Sequence, residues 1–362
     1  MDFSVDRWDR VRANYGAWWA GELDRPLISL QVDGRAPKME RPGIDFKHFT
    51  SNYPDELSPE KIVDTWQYIF ESKYYLGDAF PGIWPNFGPG TLAAFIGCEL
   101  RKAEDTAWFH PGEVKPLDEL KFEFDPDTFW FRRICDIART AVERFEGMVQ
   151  IANADWGGNL DILSSFRPSE LLLMDLYDCP DEVKRLTWEA HEVWWKYYTA
   201  YAEELGDRNP GYTAWTEIFS EDPYYMLQCD FCYMISPDMF DEFVKPELAA
   251  MSKKLTNPFY HLDGPGQLDK LDSLLEIPEL KGVQWVPGAG QPDVTQWPDV
   301  YRKIRDAGKL IQVFTNQSEK GFRLLDDLTE QLGSTEGIVM IGGAQPDEMD
   351  EAREFLKKYG AE

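Results

Sequence analysis

The stretch "FYHLDGPG", Phe259–Gly266, sets a histidine two residues before a carboxylate, just ahead of two glycines around a proline. In an extended chain, residues i and i+2 leave the same face. His261 and Asp263 therefore share one face, as candidate metal ligands or as an acid–base pair. "CDFC", Cys229–Cys232, has C-x-x-C spacing. It lies in a predicted strand, where residues three apart face opposite sides, and no second cysteine pair completes a zinc site. Cys232 alone stays a candidate ligand. Asp155 with Glu217 or Asp230 offers a carboxylate pair for acid–base or glycosidic chemistry. His48, His110 and His191 stand alone and read as structural or surface residues. No G-x-S-x-G elbow, P-loop or H-E-x-x-H helix is present.

The elements that would position these groups follow a regular rhythm of apolar segment, Gly/Pro turn and amphipathic stretch. The strand candidates are 27–34, 74–80, 149–158, 225–234, "FYHLDG", 282–290, 310–316 and 337–345. Ser236-Pro237 supplies a helix start, an oxygen cap followed by proline in the first turn. Eight strand–helix units predict an α/β protein, a closed (β/α)8 TIM barrel over 27–362, with an N-terminal helical extension over 1–26. No G-x-G-x-x-G follows the first strand, which counts against an open dinucleotide-binding sheet.

Strand phase then sorts the polar side chains. Gln31, Asn153, Asp155, Gln228, Asp230, Cys232, His261, Asp263, Gln284, Gln312 and Asn316 take the phase opposite to the helix-facing apolar residues, and Asp78 ends the second strand. Gln312 alone reads as a hydrogen-bonded layer residue. So many buried amides and carboxylates together call for a solvated or ligand-filled cavity at the C-terminal ends of the strands. Asp78, Asp155, Asp230 and Glu217 are the catalytic candidates. Gln31, Arg35, Asn153, Trp156, Gln228, Gln284, Gln312 and Asn316 are the substrate-binding ones, and His261, Asp263 and Cys232 are the metal-binding ones. Apart from Arg35, few cations reach this pocket, so a metal, a cationic group or a polyhydroxyl compound fits better than a polyanion.

Composition narrows the class. The 362 residues carry 37 basic and 65 acidic side chains, a formal charge of −28, which repels nucleic acid. No apolar run approaches a membrane span, no secretory signal precedes the first helix, and five cysteines do not make a disulfide framework; the expected location is the cytoplasm. Fourteen tryptophans are compatible with a pocket that stacks on rings.

The pieces "LGDAF", "ADWGGNLDILSSFRPSELLLMDLYDCPDEVKRL", "CDFCYMISPDMFDEFVKPEL", "YHLDG" and "IGGAQPDEMDEARE" resemble the uroporphyrinogen decarboxylase superfamily, whose members are (β/α)8 barrels. The resemblance implies one of two chemistries. The decarboxylase branch binds substrate carboxylates through R-Q-A-G-R at the first strand. Here Gln31-Val32-Asp33-Gly34-Arg35 keeps only the last two, while Asp78 matches that branch's essential aspartate. The cobalamin-dependent methyltransferase branch holds zinc through H-x-C at the fifth strand and a cysteine after the eighth. His261 matches that histidine, Asp263 replaces the first cysteine, and Gly342-Gly343 stand where the second would be. The implied function is a methyltransferase acting on a small molecule. It would use a divalent metal, zinc first among candidates, or a corrinoid supplied by a partner protein. The alternatives are a lyase or hydrolase of a polyhydroxyl or aromatic compound using the pocket carboxylates, a true decarboxylase, or a non-catalytic binding protein.

Overall fold

A computed structural model describes residues 3–103 and 106–362. The chain begins with helix α1 (Val5–Trp19), started by Ser4, whose side chain accepts from the Arg7 amide. Trp8, Val11, Tyr15 and Trp18 recur at three- and four-residue spacing and are buried along one stripe. That stripe covers the starting ends of several strands. Trp8 packs at 5.5 Å from Phe80 and Phe219, and Trp18 stacks on Phe259 at 6.1 Å. The indole nitrogens of Trp8 and Trp19 donate to the carbonyls of Met148 and Phe219. Part of the tryptophan excess is thus an aromatic plug at the end of the sheet away from the site.

Eleven strands follow among the described residues: β1 (Leu27–Asp33), β2 (Lys73–Gly77), β3 (Gly82–Ile83), β4 (Glu99–Lys102), β5 (Ala107–His110), β6 (Gln150–Ile151), β7 (Tyr224–Gln228), β8 (Asn257–Asp263), β9 (Gly282–Val286), β10 (Leu310–Phe314) and β11 (Ile338–Ala344). Seven form the central sheet in the order β2-β1-β11-β10-β9-β8-β7, parallel throughout except for β1 with β2. The short pair β3–β6 stands apart, and β4–β5 make an antiparallel hairpin. The strands therefore build a mostly parallel sheet amid many helices, without one continuous ladder around eight strands. Trp285 faces the helices, as its phase requires, against Trp297 at 5.1 Å.

The second predicted strand needs correction. Residues 73–77 run antiparallel to β1, with Gly77 opposite Ser29. Gly77 takes φ +63 and its Cα lies so close to the Ile28 carbonyl that a side chain has no room, so the chain turns there. Asp78 consequently sits at the N-terminal end of β1, not at the mouth. Its amide and carboxylate close on the two backbone groups of Ile28. Arg25 grips the carboxylate through two nitrogens at 2.7 and 2.9 Å, and Asn14 adds a third donor. With Asp78 1% exposed, this is a buried pair holding α1 and the β2 turn onto β1.

Removing one member of such a pair leaves the other charge stranded, at about 3–5 kcal/mol. Arg25→Ala should lower the urea-unfolding free energy by about that amount, while metal uptake by the folded protein should not change.

Candidate active site

The in-register parallel strands set Gln228, His261, Gln284 and Gln312 side by side across β7, β8, β9 and β10. Three members of this row form a chain of hydrogen bonds. Gln312 Nε2 donates to the Thr216 carbonyl at 2.8 Å, and Gln284 Nε2 donates to Gln312 Oε1 at 2.8 Å. Gln284 Oε1 meets His261 Nδ1. A backbone carbonyl has no proton to give, so its position orients both amides. The last oxygen can then only accept, which puts the imidazole proton on Nδ1 and leaves the Nε2 lone pair free. The edge-to-face contact of Trp215 with the imidazole, 5.0 Å between centroids, steadies the ring.

His261 and Asp263 leave β8 on the same side, as the two-residue period predicts. Asp230 joins them from the 3-10 turn after β7, and one donor atom from each lies within 4.8 Å of the others. The Asp230 turn is held from below: the Asp161 carboxylate accepts the amides of Asp230 and Phe231 at 2.9 and 2.7 Å. Burial pushes the Asp161 carboxyl up, and the Asp230 charge adds to it. The Asp230 carboxyl is raised as well, by desolvation first and by Asp263, with His261 opposing. Two neighbouring carboxylates and an imidazole lone pair make a hard oxygen- and nitrogen-rich set that suits a divalent cation.

Asp155 extends the row. Its Oδ1 accepts from Gln228 Nε2 at 3.2 Å and from the Gly157 amide at 3.0 Å. Burial pushes this carboxyl up to about 7. Gln228 Oε1 has no hydrogen-bond partner among the described residues. Two clefts flank the cluster. One, about 590 Å3, lies between the β4–β5 hairpin and the Asp230 turn, with Trp108, Asp161, Gln228 and Asp230 in its wall. The other, about 840 Å3, opens over β1, β10 and β11 and contains Gln31, Trp215, Glu217, Asn316 and the Gly342-Gly343 floor.

The predicted residues thus divide. Asp155, Gln228, Asp230, His261, Asp263, Gln284 and Gln312 come together. Gln31, Glu217 and Asn316 gather in the larger cleft, next to Trp215. Asp78 is at the other end of β1. Cys232 does not join the cluster: β7 stops at Gln228, the 3-10 turn breaks the alternation, and the thiol is buried 3.6 Å from the Tyr260 hydroxyl, behind β8. Arg35 turns toward the end of helix α2 (Pro59–Glu71) and donates to the Glu71 carbonyl at 3.5 Å. Asn153 is buried against the Thr213 carbonyl, and Trp156 packs among Phe95, Phe131 and Tyr201. Sequence phase gave no sign of Asp161, Trp215 or the Thr216 carbonyl, because each acts from a helix or loop.

No family model matches the chain, and no curated protein does. Among solved structures, a methyltransferase from Methanosarcina mazei superposes with a TM-score of 0.61 over 96% of this chain and 99% of its own, at 14% identity. That likeness shows a shared fold. Macrophomate synthase covers 63% of this chain and 74% of its own, also at 14% identity, with a TM-score of 0.25, too low to relate the two folds.

A carboxyl that stays protonated up to about pH 7 when folded, and only to about pH 4 when unfolded, stabilises the fold fully below pH 4. That contribution is lost as pH rises through 7. The unfolding free energy of Asp155→Asn, followed against pH by urea titration, should gain on the parent between pH 4 and 7 by up to the order of 4 kcal/mol.

Proposed function

We propose that this chain is a metal-dependent methyltransferase acting on a small molecule, built on a uroporphyrinogen-decarboxylase-like (β/α)8 framework, with a corrinoid protein as methyl donor. The carrying observation is the Asp230/His261/Asp263 cluster, with the His261 Nε2 lone pair freed by the Gln284–Gln312–Thr216 chain. The fold shared with a methyltransferase over nearly the whole chain supports the class of reaction.

Three features support reading the cluster as a cation site. Its carboxylates crowd each other, its imidazole presents a lone pair, and its histidine is oriented by a buried amide, as metal-bound histidines are. It does not fit the two-cysteine set. Asp263 takes one position; at the other, Gly342 has no room for a side chain beside Thr315, Gly343 would bring a Cβ to 3.1 Å from the Gln31 carbonyl, and neither residue supplies a sulfur. A divalent ion, when bound, would act as a Lewis acid and stabilise developing negative charge on a nucleophile. The chain's own residues do the rest. Gln284 and Gln312 keep His261 in one tautomer, Asp161 fixes the turn of Asp230, and Asp155 holds a proton near neutral pH beside Gln228. Glu217 and Gln31 stand in the adjoining cleft for substrate.

Elemental analysis of purified protein should find about one divalent ion per chain, zinc being the first expectation. His261→Ala should abolish its retention, and Gln284→Leu should weaken it about 10–100-fold. Incubation with methylcobalamin and a small-molecule nucleophile that can take the methyl group, such as a tertiary amine, should show demethylation of the cobalamin by its visible spectrum, lost in His261→Ala. A parent protein without metal and without demethylation would overturn the proposal.

A further inference from the structure

The smaller cleft, of about 590 Å3, lies on the other flank of the cation cluster, between the β4–β5 hairpin and the Asp230 turn. Its wall is mostly apolar. Phe109 and Phe231 are buried in it, while Trp108 on the hairpin and Met234 at the end of the turn are 60% and 46% exposed. A large indole left uncovered beside a cleft offers its face to a flat ring. No lysine or arginine lines the cleft among the described residues, so an anionic ligand finds no counter-charge there.

The hydrogen-bonding groups around Gln228 narrow the choice of ring. The donors there are committed. Gln228 Nε2 and the Gly157 amide donate to Asp155, and the amides of Asp230 and Phe231 donate to the Asp161 carboxylate. The hydroxyls of Ser164 and Ser165 donate to the Asp161 carbonyl at 2.8 and 3.2 Å. What remains accepts. Gln228 Oε1 has no partner among the described residues, although the residue is only 4% exposed. Asp230 gives one oxygen to the cation cluster and keeps the other. A buried acceptor without a partner is costly until a donor reaches it. A ligand carbonyl or carboxylate would add acceptors to a place that lacks donors. A hydroxyl brings one hydrogen for two acceptors, and a primary amino group brings two.

We infer that this cleft binds a primary aromatic amine, its ring against Trp108 and its amino hydrogens directed to Gln228 Oε1 and the Asp230 carboxylate. The site is separate from the cleft of Gln31 and Glu217, and binding there requires neither a bound metal nor a methyl donor.

The test is calorimetric titration of the intact chain with ligands that share one ring: 3-aminoquinoline, its isostere 3-methylquinoline and quinoline-3-carboxylate. The amine should bind at least about tenfold more tightly than the methyl isostere, and the carboxylate should not bind. Gln228→Leu should remove that preference and leave the methyl isostere as before. Trp108→Ala, a change at an exposed side chain, should weaken the amine and the methyl isostere alike, each about tenfold. Equal affinity for the two on the unaltered protein overturns the assignment without reliance on any variant. So does no binding of either, or tighter binding of the carboxylate, or displacement of 3-aminoquinoline by methylamine, which has the donors without the ring. Bound metal and methylcobalamin demethylation in a protein that ignores 3-aminoquinoline sink this site and leave the proposed function standing. Selective binding of the amine to a protein without metal supports the site where that proposal fails.

Discussion

The site depends on a single immovable acceptor, the Thr216 carbonyl. Two glutamine amides and an imidazole are buried or half-buried in the face of a parallel sheet, where any polar atom without a partner would cost about 1–3 kcal/mol. Because the carbonyl only accepts, each amide in turn has one allowed orientation, and the polarity passes unchanged through Gln312 and Gln284 to His261. Register makes this possible. A shift of one residue in β9 or β10 would send its glutamine to the helix side and break the chain. The fold thus specifies not only where the imidazole is but which of its nitrogens is free.

Stability and chemistry are kept at opposite ends of the same strands. At the starting end, α1 brings Trp8, Tyr15 and Trp18 against Phe80, Phe219 and Phe259, and Arg25 neutralises Asp78. The charged pair there is fully engaged, although Tyr15 Oη and Trp18 Nε1 have no hydrogen-bond partner among the described residues. At the other end Asp230 and Asp263 repel each other, Asp155 holds a raised carboxyl, and Gln228 Oε1 lacks a partner among the described residues. Like-charge crowding of that sort persists only where the surrounding structure enforces it. The Asp161 carboxylate is part of that enforcement, since it takes up two amides of the Asp230 turn.

Where strands are regular, the sequence could be read almost atom by atom. β8, β9 and β10 keep their two-residue period, and His261, Asp263, Gln284 and Gln312 fall on the face that alternation assigns. The reading failed where the period ended. Cys232 lies in a 3-10 turn rather than in a strand, so its inward phase did not exist. Asp78 follows a strand that runs antiparallel, a direction that an alternation of strand and helix does not reveal. Trp156 and Arg35 sit past strand ends, where packing against helices decides orientation. Asp161, Trp215 and Thr216 act across 46 or more positions from the groups they serve, beyond any local signal.

The aspartate at 263 has a physical meaning of its own beside a thiolate alternative. A thiolate set shares electron density with a soft cation and suits activation of a thiol. Two carboxylates and one imidazole would favour a harder cation with more residual charge, better able to polarise an oxygen or nitrogen nucleophile. Thr315 fills the space that a side chain at Gly342 would need, and its hydroxyl accepts from the Gly343 amide at 3.2 Å. Gly342 and Thr315 are thus fitted to each other. A side chain at 342 would require a change at 315 as well, so this part of the cleft is set by the packing of β11 against the turn after β10 and not by one residue alone.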